Sequence, residues 1–264
     1  MKHFLSLLLV AALMATSCSK SGSNTPDEPT KQEPTVLLTK VINQTQGTQD
    51  YGKTIAEFTY DGKQLTKALF YNYSIPTIIE TDNFNYNSQG QLTGANITYS
   101  NGNPNVIATV TYNGTYPSNI TFKRDNAVIG DNSLTYQNGR LTRWFNPRDV
   151  DMVYTYDNAG HNIKQVANEY VNGTANGKVY TYEYLSFDNK HNLTDALPNW
   201  VFFRVGNGEE GLGYIIGVNN PVNITELGTA KTNTYEYNSA GYPTKISKGG
   251  NSPRAYSYEY ITVQ

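Results

Sequence analysis

A short hairpin unit recurs from about residue 58 to the end of the chain, and it restricts the fold more than any other feature. Tyr235-Glu236-Tyr237-Asn238-Ser239-Ala240-Gly241-Tyr242-Pro243-Thr244-Lys245-Ile246 shows its parts. Tyr235 and Tyr237 are two residues apart, so on a strand they share one face and Glu236 takes the other. Asn238 to Gly241 is turn chemistry: Asn bonds to its own backbone and Gly supplies positive φ without steric cost. A β-branched strand resumes with Thr244 and Ile246, and Pro243 is tolerated where its missing N–H faces away from the ladder.

Variants follow in order. They are Phe58-Thr59-Tyr60-Asp61-Gly62 with Leu65-Thr66, Phe84-Asn85-Tyr86-Asn87 with Gly90 and Leu92-Thr93, a degenerate Tyr112-Asn113-Gly114, Tyr136-Gln137-Asn138-Gly139 with Leu141-Thr142, Tyr154-Thr155-Tyr156-Asp157 with Gly160, Phe187-Asp188 with Leu193-Thr194, and the unit above. Successive turns lie about 20 to 28 residues apart, so one repeat is a hairpin plus the return to the next. The expectation is an all-β domain over residues 35–264: a large antiparallel up-and-down β-barrel or closed shell of about 14 to 18 strands.

The strand faces bear on the membrane. Tyr180, Tyr182 and Tyr184 oppose Thr181 and Glu183; Tyr256, Tyr258 and Tyr260 oppose Ser257 and Glu259. Such a sheet closes either with its aromatics inside, as a soluble shell, or outside, as a membrane barrel. The first is favoured because tyrosines run the whole length of the strands instead of forming girdles at their ends. The 22 tyrosines fit a half-buried pleated surface.

The charge balance is mild, with 16% charged residues and a net charge of −2. Without a basic run after Lys31, an electrostatic nucleic-acid partner is not expected. A lone cysteine, Cys18, leaves no disulfide framework or cysteine-rich zinc site. His161 and His191, the histidines beyond His3, fall in turns at matching repeat positions and read as solvated turn residues. Glu209-Glu210 reads as a loop-tip pair and Asp149 with Asp151 as turn and strand-edge residues. Walker, Rossmann and EF-hand signatures are absent. The expectation is a protein that is not an enzyme and uses no cofactor or metal.

At the N-terminus, Met1-Lys2-His3 precedes an apolar run from Phe4 to Ala15, the length of a signal-peptide core. Residues 1–17 are read as that signal peptide. Ala15-Thr16-Ser17-Cys18 resembles a bacterial lipobox, with Ala15 where leucine is usual, which would make Cys18 the site of lipid attachment. Residues 18–34, rich in Ser, Thr, Pro and Asn, read as a disordered tether reaching on the order of 50 Å when extended. In Bacteroidetes lipoproteins an acidic run after the cysteine resembles a surface-export signal. Ser19-Lys20-Ser21-Gly22 carries none, which implies an outer-membrane anchor with the domain facing the periplasm.

Between Asp195 and Pro221 the repeat fails. Leu197-Pro198-Asn199-Trp200-Val201-Phe202-Phe203 is the most apolar run after the signal, followed by a glycine-rich loop and Leu212-Gly213-Tyr214-Ile215-Ile216. A short helical or irregular plug is expected over 195–221. Two roles are open to Trp200, Phe202, Phe203 and Tyr214: bordering a ligand pocket, or filling a barrel too wide for its strand side chains.

The Tyr-[Asp/Asn]-x-x-Gly-x-Leu-Thr pattern is similar to YD (RHS-type) repeats. Together with the lipobox, the tether and Asn219-Asn220-Pro221-Val222-Asn223-Ile224-Thr225, residues 35 to 264 more closely resemble a Bacteroidetes outer-membrane lipoprotein domain family of unknown function with a porin-like fold. The resemblance implies a barrel and no catalytic residues. Two functions stay open: a barrel binding an amphipathic or apolar small ligand, lipid or glycan-like, against aromatic walls; or a structural or protein-interaction module of the cell envelope.

Overall fold

The computed structural model describes residues 35–73, 76–206, 212, 216–250 and 253–264. The signal peptide, Cys18, the tether, Glu209-Glu210 and Tyr214 lie outside the described residues. Sixteen strands form one closed barrel in which each strand pairs antiparallel with its sequence neighbours. They are β1 (Thr35–Asn43), β2 (Thr54–Asp61), β3 (Gln64–Asn72), β4 (Ile78–Tyr86), β5 (Leu92–Tyr99), β6 (Val106–Asn113), β7 (Tyr116–Arg124) and β8 (Ala127–Gln137), then β9 (Arg140–Asn146), β10 (Val150–Tyr156), β11 (Asn162–Val171), β12 (Thr174–Phe187), β13 (Pro221–Glu226), β14 (Thr229–Tyr237), β15 (Pro243–Lys248) and β16 (Arg254–Val263). β16 closes on β1 from Thr35↔Val263 to Asn43↔Tyr256. The expected strand count and up-and-down path are observed. A 3-10 turn (Leu193–Ala196) and one helix, α1 (Trp200–Gly206), lie in the β12–β13 connection, where the repeat breaks.

The topology sorts the connections by rim. Every repeat turn, from Asp61-Gly62 to Asn238–Gly241, lies at one rim, together with the start of β1 and the plug connection. The return connections, among them residues 147–149, 227–228 and 249–250, lie at the other.

Each position of the repeat has a structural task. Six hairpins carry a register shift at the same tyrosine: Tyr60, Tyr86, Tyr112, Tyr136, Tyr156 and Tyr237. The extra residue on the returning strand is Thr66, Thr93, Ser118, Thr142, Ile163 or Thr244. A bulge leaves ladder groups unpaired, and the threonine hydroxyl serves one of them. Thr66 Oγ1 donates to the Thr59 carbonyl at 3.0 Å, Thr93 Oγ1 to Asn85 at 3.0 Å and Thr142 Oγ1 to Thr135 at 3.2 Å. The Asn or Asp closes the turn, as where Asn87 Oδ1 accepts from the Gln89 and Gln91 amides. Gly90 sits at φ 77°, a conformation a side chain would strain.

The leucine and the tyrosine join one repeat to the next. Leu65, Leu92 and Leu141 are buried. The Tyr86 hydroxyl donates to the Leu65 carbonyl at 2.6 Å, and the Tyr156 hydroxyl to the Leu141 carbonyl at 2.8 Å. Tyr60 reaches Leu38 in the same way at 2.6 Å. Burial pushes the Tyr86 hydroxyl up to about 12, so it stays protonated and donates.

Alternation sets the two faces of the wall. In β6, Val106, Ala108 and Val110 are buried while Ile107, Thr109 and Thr111 are exposed. The repeat tyrosines and the apolar core face inward. The outer wall carries cross-strand ion pairs: Lys40–Glu259 at 3.4 Å, Lys164–Glu183 at 3.2 Å, Lys245–Glu236 at 3.2 Å and the bidentate Arg143–Asp151. Such pairs contribute little to stability, but charge on this face is opposite to the apolar band of a lipid-exposed barrel. Asp151 is thus an outer-wall partner of Arg143, and Asp149 sits in the adjoining turn.

Candidate functional site

The β12–β13 connection turns into the barrel, and a collar of side-chain hydrogen bonds fixes where it enters and leaves. Asn192 caps the 3-10 turn and Asp195 bonds back to the Asn192 amide, a capping box. Asn220, 3% exposed, donates from Nδ2 to Asp188 and to the His191 carbonyl at 2.7 Å. Asp188 also accepts a short hydrogen bond from the Tyr237 hydroxyl. The Asn219-Asn220-Pro221 element is therefore the return seat of the plug.

Both histidines sit in turns, as expected, and both join this collar; His191 is exposed there and His161 half-buried. His161 stacks on Phe187 at 4.4 Å, bonds Asp157 through Nδ1 at 2.8 Å and Asn219 through Nε2 at 3.0 Å. His191 stacks on Tyr242 at 4.3 Å and meets Asp195 at 3.3 Å. Burial opposes ionisation of Asp157, yet its bonds from His161 hold it below its ordinary value. Asp195 is raised by burial, with His191 opposing. Stacked and hydrogen-bonded, each ring pins the plug's stem to the repeat rim.

Two turns of helix are too short to stand alone in water, so α1 exists because its side chains pack. Phe203 meets Phe58, Phe70 and Phe84 at 5.7, 5.8 and 5.7 Å, and Phe202 meets Phe84 and Phe122 at 5.4 and 5.7 Å. Edge-to-face contacts dominate, as ring quadrupoles favour. The same wall carries Ala56, Ala68, Ala95 and Ala108, all buried. Small inward residues there leave room for the phenylalanines. The helix leans on the β2–β7 wall and leaves space elsewhere.

Among the described residues two cavities of several hundred Å³ open there, and their linings share no residue. The first, about 390 Å³, lies at the repeat-turn rim. Its floor is aliphatic and aromatic, with Val110, Ile120, Leu141 and Phe202; Trp200, Tyr112, Tyr136 and Tyr156 wall it, and Asp195, Asn199 and Arg140 stand at its edge. Tyr136 departs from the other repeat tyrosines. Its ring stacks on Tyr116 at 4.9 Å, but its hydroxyl is buried without a hydrogen-bond partner.

The second cavity, about 550 Å³, lies at the return-turn rim. Arg204, on the far end of α1, places its guanidinium 4.9 Å from the Trp144 ring. Trp144 is held in turn by its indole N–H donating to Asn132 Oδ1 at 2.8 Å. Lys231, Lys248 and Arg254 add positive charge; Glu226 and Asp149 add negative, with Glu226 paired to Lys231.

The sequence-assigned binding residues separate accordingly. Trp200 and Phe202 line the first cavity, while Phe203 sits in the aromatic cluster with 4% exposure. The charged residues of the second cavity were not among them. Among the described residues no group of three or more His, Cys, Asp or Glu is arranged to hold a metal ion.

No protein-family model matches the chain, and no curated protein does. Among solved structures it is similar to a porin-like protein from Bacteroides uniformis, with a TM-score of 0.53 at 12% identity over 86% of this chain and 96% of that one. It shares the porin-like barrel fold. A porin-like protein from Bacteroides vulgatus also matches, at 14% identity over 85% of this chain and 99% of that one, with a TM-score of 0.36.

Proposed function

We propose that this chain is a non-enzymatic lipoprotein of the bacterial envelope, anchored through Cys18 to the outer membrane and facing the periplasm. Its first cavity holds an amphipathic small ligand, lipid or glycan-like. The buried hydroxyl of Tyr136, without a partner over an aliphatic floor, carries the reading. A ligand with an apolar body and a hydroxyl or carbonyl would fill the space and satisfy that group. The charged outer wall supports a barrel standing in water, not in lipid. The chain enters β1 at the same rim as the cavity.

Native mass spectrometry of the mature protein, extracted from its own envelope in mild detergent, tests this. A bound small molecule is expected, absent from Trp200→Ala and weakened in Tyr136→Phe. Wild-type protein that carries nothing, and takes up neither a fluorescent fatty acid nor a glycan probe, would rule the reading out.

A further inference from the structure

At the repeat-turn rim, six hairpins share one register position, just before the residue that pairs with the repeat tyrosine. It is held by Gln64, Gln91, Tyr116, Arg140, His161 and Tyr242. Of these only Arg140 carries a fixed charge, and it lines the first cavity, half-buried. Its guanidinium carbon lies 5.8 Å from the centre of the Tyr156 ring, and among the described residues no carboxylate stands within ion-pair distance of it. The group is seated, not dangling: a Cβ at Gly160 would fall 2.6 Å from an Arg140 Nη and 2.8 Å from Val218, so glycine there lets the guanidinium close on the turn.

A second donor stands on the same hairpin. Tyr136 pairs with Leu141, the residue after Arg140. Its buried hydroxyl has no partner, and burial pushes its pKa up, so it keeps its proton. Asp195 and Asn199, at the cavity's edge, are already engaged. Asp195 accepts from the Asn192 amide at 3.1 Å and meets His191 at 3.3 Å, and Asn199 Nδ2 donates to the Tyr86 hydroxyl at 3.1 Å. We infer that the ligand of this cavity is a single acyl chain ending in an anionic head, a carboxylate or a phosphate. The head lies on Arg140 and the Tyr136 hydroxyl, and the chain covers the floor of Val110, Ile120, Leu141 and Phe202. This rests on the reading of the first cavity as a ligand site and decides, within it, for lipid over glycan. A sugar would set several hydroxyls unpaired against that floor, each at a cost; an acyl chain has none. A planar guanidinium meets either head with two parallel bonds. The volume of about 390 Å³ holds roughly a dozen methylene-sized groups at about 30 Å³ each, the room a water takes in the liquid.

Equilibrium binding of radiolabelled dodecanoate, dodecyl phosphate, dodecanol and maltose to the full mature chain tests this, with the protein in phosphatidylcholine nanodiscs and empty nanodiscs as the blank. One or both anions are expected to bind about tenfold or more tightly than dodecanol, with maltose weakest; the tighter anion identifies the head group. Arg140→Gln should weaken the anions about tenfold and leave dodecanol unchanged, a selective loss that misfolding would not give. Arg140→Lys should recover part of that loss, because it restores the charge without the fork. Dodecanol binding as tightly as both anions, or an anion preference that survives Arg140→Gln, would overturn the anionic head and leave the cavity an amphiphile site. Maltose bound ahead of every chain would overturn it in favour of a glycan. If no probe binds, the inference falls together with the reading it rests on.

Discussion

At the repeat-turn rim the barrel presents tyrosine rings over an aliphatic floor. At the return-turn rim the described lining carries charged side chains of both signs and buried amides. Of the strands only β9 and β10 line both cavities, and α1 contributes to each. Trp200 and Phe202 face one side and Arg204 the other. A barrel similar in fold to a porin-like protein thus has part of its interior filled by its own chain, with each end given its own chemistry.

The most severe way to break the contrast is to remove the divider. Phe203→Ala empties the centre of the aromatic cluster and should cost about 3–5 kcal/mol in denaturant unfolding. The first cavity's ligand should be lost with it. A finer cut compares two tyrosines of equivalent position. Tyr156→Phe removes the bond to Leu141 and should cost about 1 kcal/mol, whereas Tyr136→Phe removes a hydroxyl without a partner and should leave stability unchanged or slightly higher. The same melts check both, and a loss in Tyr136→Phe equal to that in Tyr156→Phe would show that the two are alike.

A pH titration sharpens the picture of the collar. Asp157 is held below its ordinary 3.8, so its contribution is present above that value and lost as pH falls through the lowered one. Asp195, raised by burial, works in the opposite sense: the folded state gains relative stability as pH falls and the carboxyl protonates. Asp157→Asn should therefore flatten the acid limb of the stability profile below about pH 4. The smallest effect belongs to the outer wall. Breaking Lys164–Glu183 by Lys164→Ala should change stability by less than about 1 kcal/mol and leave both cavities untouched.

Much of this architecture can be read before any coordinates. The tyrosine spacing gives the faces, the Asn/Asp and Gly residues give the turns, and failure of the unit after Asp195 marks the plug. The bulge is harder to see, because Thr66 or Thr142 looks like an ordinary strand residue until the register slips beside it. The contacts of the histidines are not legible locally, because their partners Phe187, Asn219 and Tyr242 are distant in sequence or belong to neighbouring repeats. The second cavity left a usable signal. Counting by twos back from Tyr235 reaches Asn233 and Lys231, back from Tyr256 reaches Arg254, and onward from Ile246 reaches Lys248. Charges with the parity of the core are not outer-wall charges. What no such count supplies is the depth to which α1 enters, because that depends on four phenylalanines from four separate strands meeting two from the helix.

The tyrosine that reaches back to the preceding leucine has a consequence for how such barrels change size. A hairpin such as the one through Tyr86 brings its own turn, a bulge-serving hydroxyl on Thr93 and the bond to Leu65 that fastens it to its predecessor. A duplicated or deleted hairpin therefore joins or leaves the ring with its connections complete, and circumference changes in steps of two strands. The part that does not scale is the plug, whose phenylalanines fit one bore. Lineages that gained or lost a hairpin would have had to re-tailor the β12–β13 connection, so descendants of one barrel should differ most in the segment that fills it.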